Sequence, residues 1–171
     1  VLDMKAGQIS QPIRSASVHA WTRRCGLSWR CASTQAPTAP CAKCSRRHCA
    51  SSEVWSSTDG QHWTLVAEHA PWSPRVYHQS AVLDGKLYVY GGGNYVPDYH
   101  AKNDVWSSSD GVHWTLETDA APWSPRLWFS AAVYRDRMWV LGGWSNNPSK
   151  NWGDVWHSKD GKIWEQLQTK T

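Results

Sequence analysis

Asp104-Val-Trp-Ser-Ser-Ser-Asp-Gly-Val-His-Trp-Thr-Leu-Glu-Thr-Asp-Ala-Ala-Pro-Trp-Ser-Pro-Arg126 occurs almost whole a second time, as Glu53-Val-Trp-Ser-Ser-Thr-Asp-Gly-Gln-His-Trp-Thr-Leu-Val-Ala-Glu-His-Ala-Pro-Trp-Ser-Pro-Arg75. Its first half returns as Asp154-Val-Trp-His-Ser-Lys-Asp-Gly-Lys-Ile-Trp164. Trp55, Trp106 and Trp156 stand 51 and 50 residues apart. A fixed period of that size means stacked supersecondary units instead of one irregular core.

Working outward from Arg75, Val76–Leu83 reads as a strand closed by the turn pair Asp84-Gly85. Lys86–Tyr90 follows as a β-branched and aromatic strand ended by Gly91-Gly92-Gly93. After a loop come Asp104–Ser109, a second tight Asp-Gly hairpin turn at Asp110-Gly111, and His113–Glu117. The same order recurs from Arg126 through the turn near Arg135, Met138–Gly143 and Trp156 to Trp164. No segment shows helical periodicity with caps. Four short strands per unit of about 50 residues suit an all-β blade architecture.

These landmarks resemble the kelch repeat: a Gly pair after a hydrophobic strand, then an aromatic and a Trp. Here they are Gly91-Gly92 with Tyr99 or Tyr95 and Trp106, and Gly142-Gly143 with Trp152 and Trp156. The resemblance covers 51–171 and implies an incomplete β-propeller of about three four-stranded blades. The remaining blades are expected in the same full-length chain. The expected units are the last hairpin of a preceding blade (1–13), an aberrant blade (14–68), and two kelch-type blades (69–118 and 119–168). Trp55, Trp63, Trp106, Trp114, Trp156 and Trp164, with Asp59, Asp110, Gly91, Gly92, Gly142 and Gly143, are expected as the structural repeat. The Ser-x-Asp-Gly-x-x-Trp turn is also similar to a sialidase Asp-box, but its Asp and Gly are adjacent.

The first fifty residues depart from the pattern. They hold eight Lys/Arg, one acid and all five cysteines, whereas 51–171 hold ten Lys/Arg and thirteen acids. The net charge of +4 therefore describes no single surface and is not read as a nucleic-acid signal. Trp21 and Arg24 fall 51 residues before Trp72 and Arg75, so the register survives where the pattern does not. Leu27–Thr34, read in the overlapping codon frame, permits an apolar strand ending in a turn residue. Residues 25–50 are accordingly expected to be a frame-shifted translation of an ordinary half-blade. Under that reading Cys41-Ala-Lys-Cys44 with His48-Cys49, which has zinc-ligand residue types, is an accident, and no metal or cofactor is expected. No run approaches the roughly 18 apolar residues of a membrane span. The Cys-free, Trp-rich repeats favour an extracytoplasmic home.

For function, Asp59, Asp110 and Asp160 each precede a Gly and read as turn formers. The kelch resemblance implies that the loops after the Gly pairs and those between blades share a partner-binding face. From one repeat that face carries Trp72, Arg75, Asn94, Tyr95, Tyr99 and His100. The next contributes Trp123, Arg126, Trp128, Trp144, Asn146, Asn147 and Trp152. Repetition argues packing for Trp72, Trp123 and the two arginines. The ligand-binding set is Arg75, Asn94, Tyr95, Tyr99, His100, Arg126, Trp144, Asn146 and Trp152, with the unique loop aromatics foremost. A protein segment or a carbohydrate is the expected partner. A catalytic set is not legible: there is no Gly-x-Ser-x-Gly and no Gly-rich phosphate loop, and 51–171 lack the Cys of a galactose-oxidase-like copper site. The alternative expectation is a piece of a glycan-acting enzyme, sialidase-like or galactose-oxidase-like, whose catalytic residues lie elsewhere.

Overall fold

The computed structural model describes residues 17–19, 52–95 and 98–168. The readings of 1–13 and 25–50, the Cys/His cluster, Trp21 and Arg24 lie outside the described residues. Within them the chain is all-β, without a helix. The strands are β1 (Ser17–His19), β2 (Val54–Ser57), β3 (Thr64–Ala67), β4 (Gln79–Leu83), β5 (Lys86–Asn94), β6 (His100–Ser108) and β7 (Thr115–Thr118). They continue as β8 (Ser130–Val133), β9 (Met138–Leu141), β10 (Trp144–Asn146), β11 (Ser149–Asn151), β12 (Val155–Ser158) and β13 (Trp164–Gln166).

All pairings are antiparallel. A middle sheet has the order β4-β5-β6-β7, and a last sheet the order β8-β9-β12-β13 with the β10-β11 hairpin between its second and third strands. A first sheet, β1-β2-β3, has Ser17–His19 alongside β2, with His19 opposite Trp55. The two complete sheets repeat residue for residue: Tyr90 faces Gln79 and Val105 in the middle sheet, as Leu141 faces Ser130 and Val155 in the last.

Alternation sends successive β5 side chains to opposite faces. Val89 joins Val54, Ala70 and Trp72 between the first and middle sheets, where Trp72 meets Trp114 edge-on at 4.5 Å. Tyr88 and Tyr90 turn the other way, into a larger core with Leu83, Val105, Trp123, Phe129, Met138, Val140 and Trp164. Each sheet is thus clamped to the next by indoles, which bury more area per residue than aliphatic side chains.

Two local expectations need correction. Val76–Leu83 is not one strand: β4 begins at Gln79, because Val76 forms a separate bridge with Gly93 and Tyr77 takes φ +61°. The Asp110-Gly111 turn is no tight hairpin but part of a longer loop from β6 to β7. Its positive φ (+77°) falls on Gly111, while Asp110 serves as an acceptor. Asp84-Gly85 is the expected two-residue turn, with φ +48° and +70°; its counterpart is Arg135-Asp136, at +50° and +53° with no glycine. The Gly pair has a packing reason. A Cβ on Gly91 would lie 2.8 Å from the Phe129 ring of the next sheet.

Candidate functional site

The repeated polar residues are consumed by the scaffold. In each unit the indole N–H of the first repeat Trp donates to an acid two residues earlier: Trp55 to Glu53, Trp106 to Asp104 and Trp156 to Asp154, at 2.8–2.9 Å. The second repeat Trp donates to the turn glycine's carbonyl: Trp63 to Gly60, Trp114 to Gly111 and Trp164 to Gly161. Each turn Ser accepts from the glycine N–H and donates to the turn Asp, as Ser108 does to Asp110 at 3.0 Å. Asp59 and Asp110 also meet the imidazoles of His62 and His113, which point into solvent. The His62 side-chain bond and the backbone donors hold the Asp59 carboxyl well below its usual range, and Asp59 raises His62 in return.

Arg75 and Arg126 are not available to a ligand, which corrects their place in the binding set. They are 1% and 0% exposed. Arg75 forks onto Asp104, with Nη2 donating to Oδ2 at 2.8 Å, and also donates to the Gly91 carbonyl and Ser73. Arg126 does the same with Asp154, Gly142 and Ser124. Burial alone would raise Asp104 and Asp154, but the arginine hydrogen bonds and charge, with the Trp106 and Trp156 N–H, leave both carboxyls depressed. Trp152 is committed too. Its ring meets the Arg126 guanidinium (4.6 Å) and the Lys150 ammonium (4.2 Å), and its N–H donates to Ser145.

What remains is an aromatic surface at one end of the middle and last sheets. Tyr95 packs on Trp128 (5.4 Å) and Trp144 (5.9 Å), Trp128 lies on Trp144 (5.3 Å, 34°), and Tyr99 meets Trp144 edge-on at 5.7 Å. Tyr77 closes the far side against Trp128 at 5.4 Å. Tyr95 and Trp128 remain 46% and 47% exposed. Burial pushes the Tyr99 phenol up. Asn94 and His100 pair across the β5–β6 tip, Asn94 donating to the Pro74 carbonyl at 3.4 Å and His100 exposed. Asn146 sits exposed at the end of β10. Of the expected set, then, Tyr95, Tyr99 and Trp144 are brought together, while Asn94, His100 and Asn146 lie on the flanking loop ends.

Tyr77 is the residue that sequence reasoning missed. It and Trp128 occupy equivalent places, 51 residues apart, with φ +61° and +56°. Each follows a residue locked by a two-way backbone bridge, Val76 with Gly93 and Leu127 with Trp144, all at 2.8 Å. The bridge forces the next residue into the left-handed region, at roughly 1–2 kcal/mol for a residue with a Cβ, and turns its ring out over the Gly-pair loop. An aromatic two residues after the Arg of each unit, Tyr77 after Arg75 and Trp128 after Arg126, was the available signal.

The resemblance seen in the repeat can now be set against known proteins. Residues 74–107, from the Arg75 turn through the Gly pair to Trp106, match the Kelch motif. That stretch carries a kelch repeat. Among curated proteins, this kelch-repeat chain is 33% identical over 119 residues to the flagellar outer-arm dynein alpha chain of Chlamydomonas reinhardtii, covering 66% of the chain and 2% of that relative. It is 25% identical over 116 residues to Ras guanine nucleotide exchange factor F of Dictyostelium discoideum, covering 63% and 10%. It is likewise 25% identical over 123 residues to Kelch domain-containing protein 3 of Rattus norvegicus, covering 66% and 32%. The chain thus spans less than a third of the length of each relative.

Proposed function

We propose that this kelch-repeat chain is a non-catalytic protein-interaction module that holds an extended protein segment against the Tyr77–Tyr95–Tyr99–Trp128–Trp144 surface. Its three sheets act as consecutive blades of a β-propeller whose remaining blades belong to the same full-length chain. The observation that carries the reading is the left-handed backbone at Tyr77 and Trp128. The left-handed turn at both positions brings the half-buried Tyr77 ring and the exposed Trp128 ring alongside Tyr95 and Trp144, and strained backbone of this kind clusters at functional sites. Exposed Trp and Tyr rings also supply large contact area at low entropic cost and dominate interface energetics. The glycan-acting alternative has no described residue behind it, since the conspicuous carboxylates and arginines serve turns and internal ion pairs.

Selection of binding peptides from a random library, followed by titration against Trp128→Ser and Tyr95→Ser, tests this. Loss of tenfold or more in affinity in each variant supports the assignment, tenfold being about 1.4 kcal/mol. Unchanged peptide affinity removes the aromatic surface from consideration. Selective binding to a glycan array, lost in the same variants, would make the ligand a carbohydrate instead.

A further inference from the structure

The sequence holds four Asp-Gly pairs, at 59–60, 84–85, 110–111 and 160–161. At Asp-Gly a peptide nitrogen can attack the preceding side-chain carboxyl with least hindrance, because glycine puts no Cβ in the way. Three of the four are locked against that attack in the same manner. The Gly60, Gly111 and Gly161 N–H groups donate to Ser57, Ser108 and Ser158 at 2.8–2.9 Å. In the same loops Asp59, Asp110 and Asp160 each accept from the N–H groups two and three residues on, at 2.8–3.0 Å. The His62 and His113 side-chain bonds, with those backbone donors, hold the Asp59 and Asp110 carboxyls well below their usual range, so both stay ionised and are poor electrophiles. Burial pushes Asp160 up, but the Ile163 and Lys162 N–H groups outweigh it and leave that carboxyl depressed too.

The fourth pair differs. Asp84-Gly85 forms the two-residue turn between Leu83 and Lys86, with both of its residues exposed and φ at +48° and +70°. Among the described residues no hydrogen bond reaches the Asp84 carboxylate or the Gly85 N–H. Burial does not separate this pair from the others, since Gly60 is exposed as well and its N–H is nonetheless held by Ser57. The equivalent turn of the last sheet, Arg135-Asp136, is followed by Arg137, whose side chain hinders the nitrogen that would have to attack.

We propose that Asp84-Gly85 is a site of spontaneous isoaspartate formation in the folded chain. The Gly85 amide nitrogen gives up its proton and bonds to Asp84 Cγ, and one carboxyl oxygen leaves as water, closing a cyclic succinimide. Water then adds to one of the ring carbonyls and breaks that carbonyl's bond to the nitrogen. Opening on the Cγ side restores aspartate. Opening on the main-chain side leaves the chain running through Cγ, with a free α-carboxylate. A water is lost and a water regained, so composition and mass are unchanged and no other reactant is needed. The product carries an extra main-chain methylene in the turn beside Leu83, a residue of the larger core.

The test incubates the whole chain at neutral pH and physiological temperature and follows every Asp-Gly pair by peptide mapping. Electron-transfer fragmentation tells isoaspartate from aspartate at equal mass. Isoaspartate is expected at Asp84 at least about tenfold faster than at Asp59, Asp110 or Asp160, the factor that one or two net hydrogen bonds supply. In urea the four rates should converge, because the difference lies in the fold. Ser57→Ala, which frees the exposed Gly60 N–H, should bring Asp59 up towards Asp84. Ser108→Ala does the same for Asp110 and takes its place if circular dichroism shows Ser57→Ala unfolded. Asp84 no faster than the other three in the folded chain, rates that stay apart in urea, or a folded serine variant whose freed pair stays as slow as in the wild type would each overturn the proposal.

Discussion

Arg126 shows how a residue that looks like a ligand contact becomes a structural tie. Its position after Pro-Trp-Ser-Pro is visible in sequence, and its repetition argues for packing, but its burial depends on the sheet that closes over it. Removing one partner of such a pair leaves an uncompensated charge. Arg126→Met is expected to cost about 3–5 kcal/mol in urea unfolding, and Arg126→Met with Asp154→Leu to recover part of that loss. Because the Asp104 and Asp154 carboxyls are depressed in the folded chain, their contribution is present above the unfolded value of roughly 3.9 and vanishes as pH falls through the lower folded value. Thermal melts should therefore drop steeply below about pH 4, and less steeply in the double variant. His62 behaves oppositely, since Asp59 raises it. Its imidazole should titrate by NMR above the ordinary midpoint of about 6.5, and Asp59→Asn should return it there. Tyr77 marks the limit of residue-scale reading: local propensity favours a strand, and only the backbone pair made by Val76 with the distant Gly93 overrides it.

At the scale of the element, the repeated Ser-x-Asp-Gly loop was legible because each residue type has one job within a few positions. Ser108 Oγ accepts from the Gly111 N–H at 2.8 Å, and Asp110 Oδ1 accepts from Val112 and His113. Ser108→Ala orphans a buried backbone donor and should cost about 1–3 kcal/mol by chemical denaturation. What sequence could not supply was loop length. The adjacent Asp-Gly suggests a two-residue turn at both Asp84 and Asp110, yet only the first closes directly between strands. The second is held open by side-chain hydrogen bonds that compete with the ladder. The Arg135-Asp136 turn makes the converse point, since two residues with side chains adopt the left-handed geometry that Asp84-Gly85 reaches more cheaply. Asp136→Gly should stabilise the β8–β9 hairpin by a few tenths to about 1 kcal/mol, read as a rise in melting temperature.

At the scale of the whole molecule, the period of 50–51 residues made the fold class readable, because equal units must bury equal faces. The binding surface was half readable. Tyr95, Tyr99 and Trp144 stood out as loop aromatics, whereas their assembly with Tyr77 and Trp128 depends on how the middle and last sheets abut. That abutment also sets a stability gradient. Among the described residues, β5 is covered on both faces and the last sheet on one. In native-state hydrogen exchange the Tyr88–Tyr90 amides should be the slowest of the chain, and those of β12 and β13 appreciably faster; uniform protection across the sheets would contradict this packing.

The arrangement of the indoles has an optical consequence. Among the described tryptophans, Trp128 alone has a well-exposed ring, the others being buried or half-covered. Of the described indoles, a water-borne quencher such as iodide will reach that one first, and it sits where the proposed ligand lands. Shielding of the quenchable, red-shifted part of the emission then reports occupancy directly, with no label attached to either molecule.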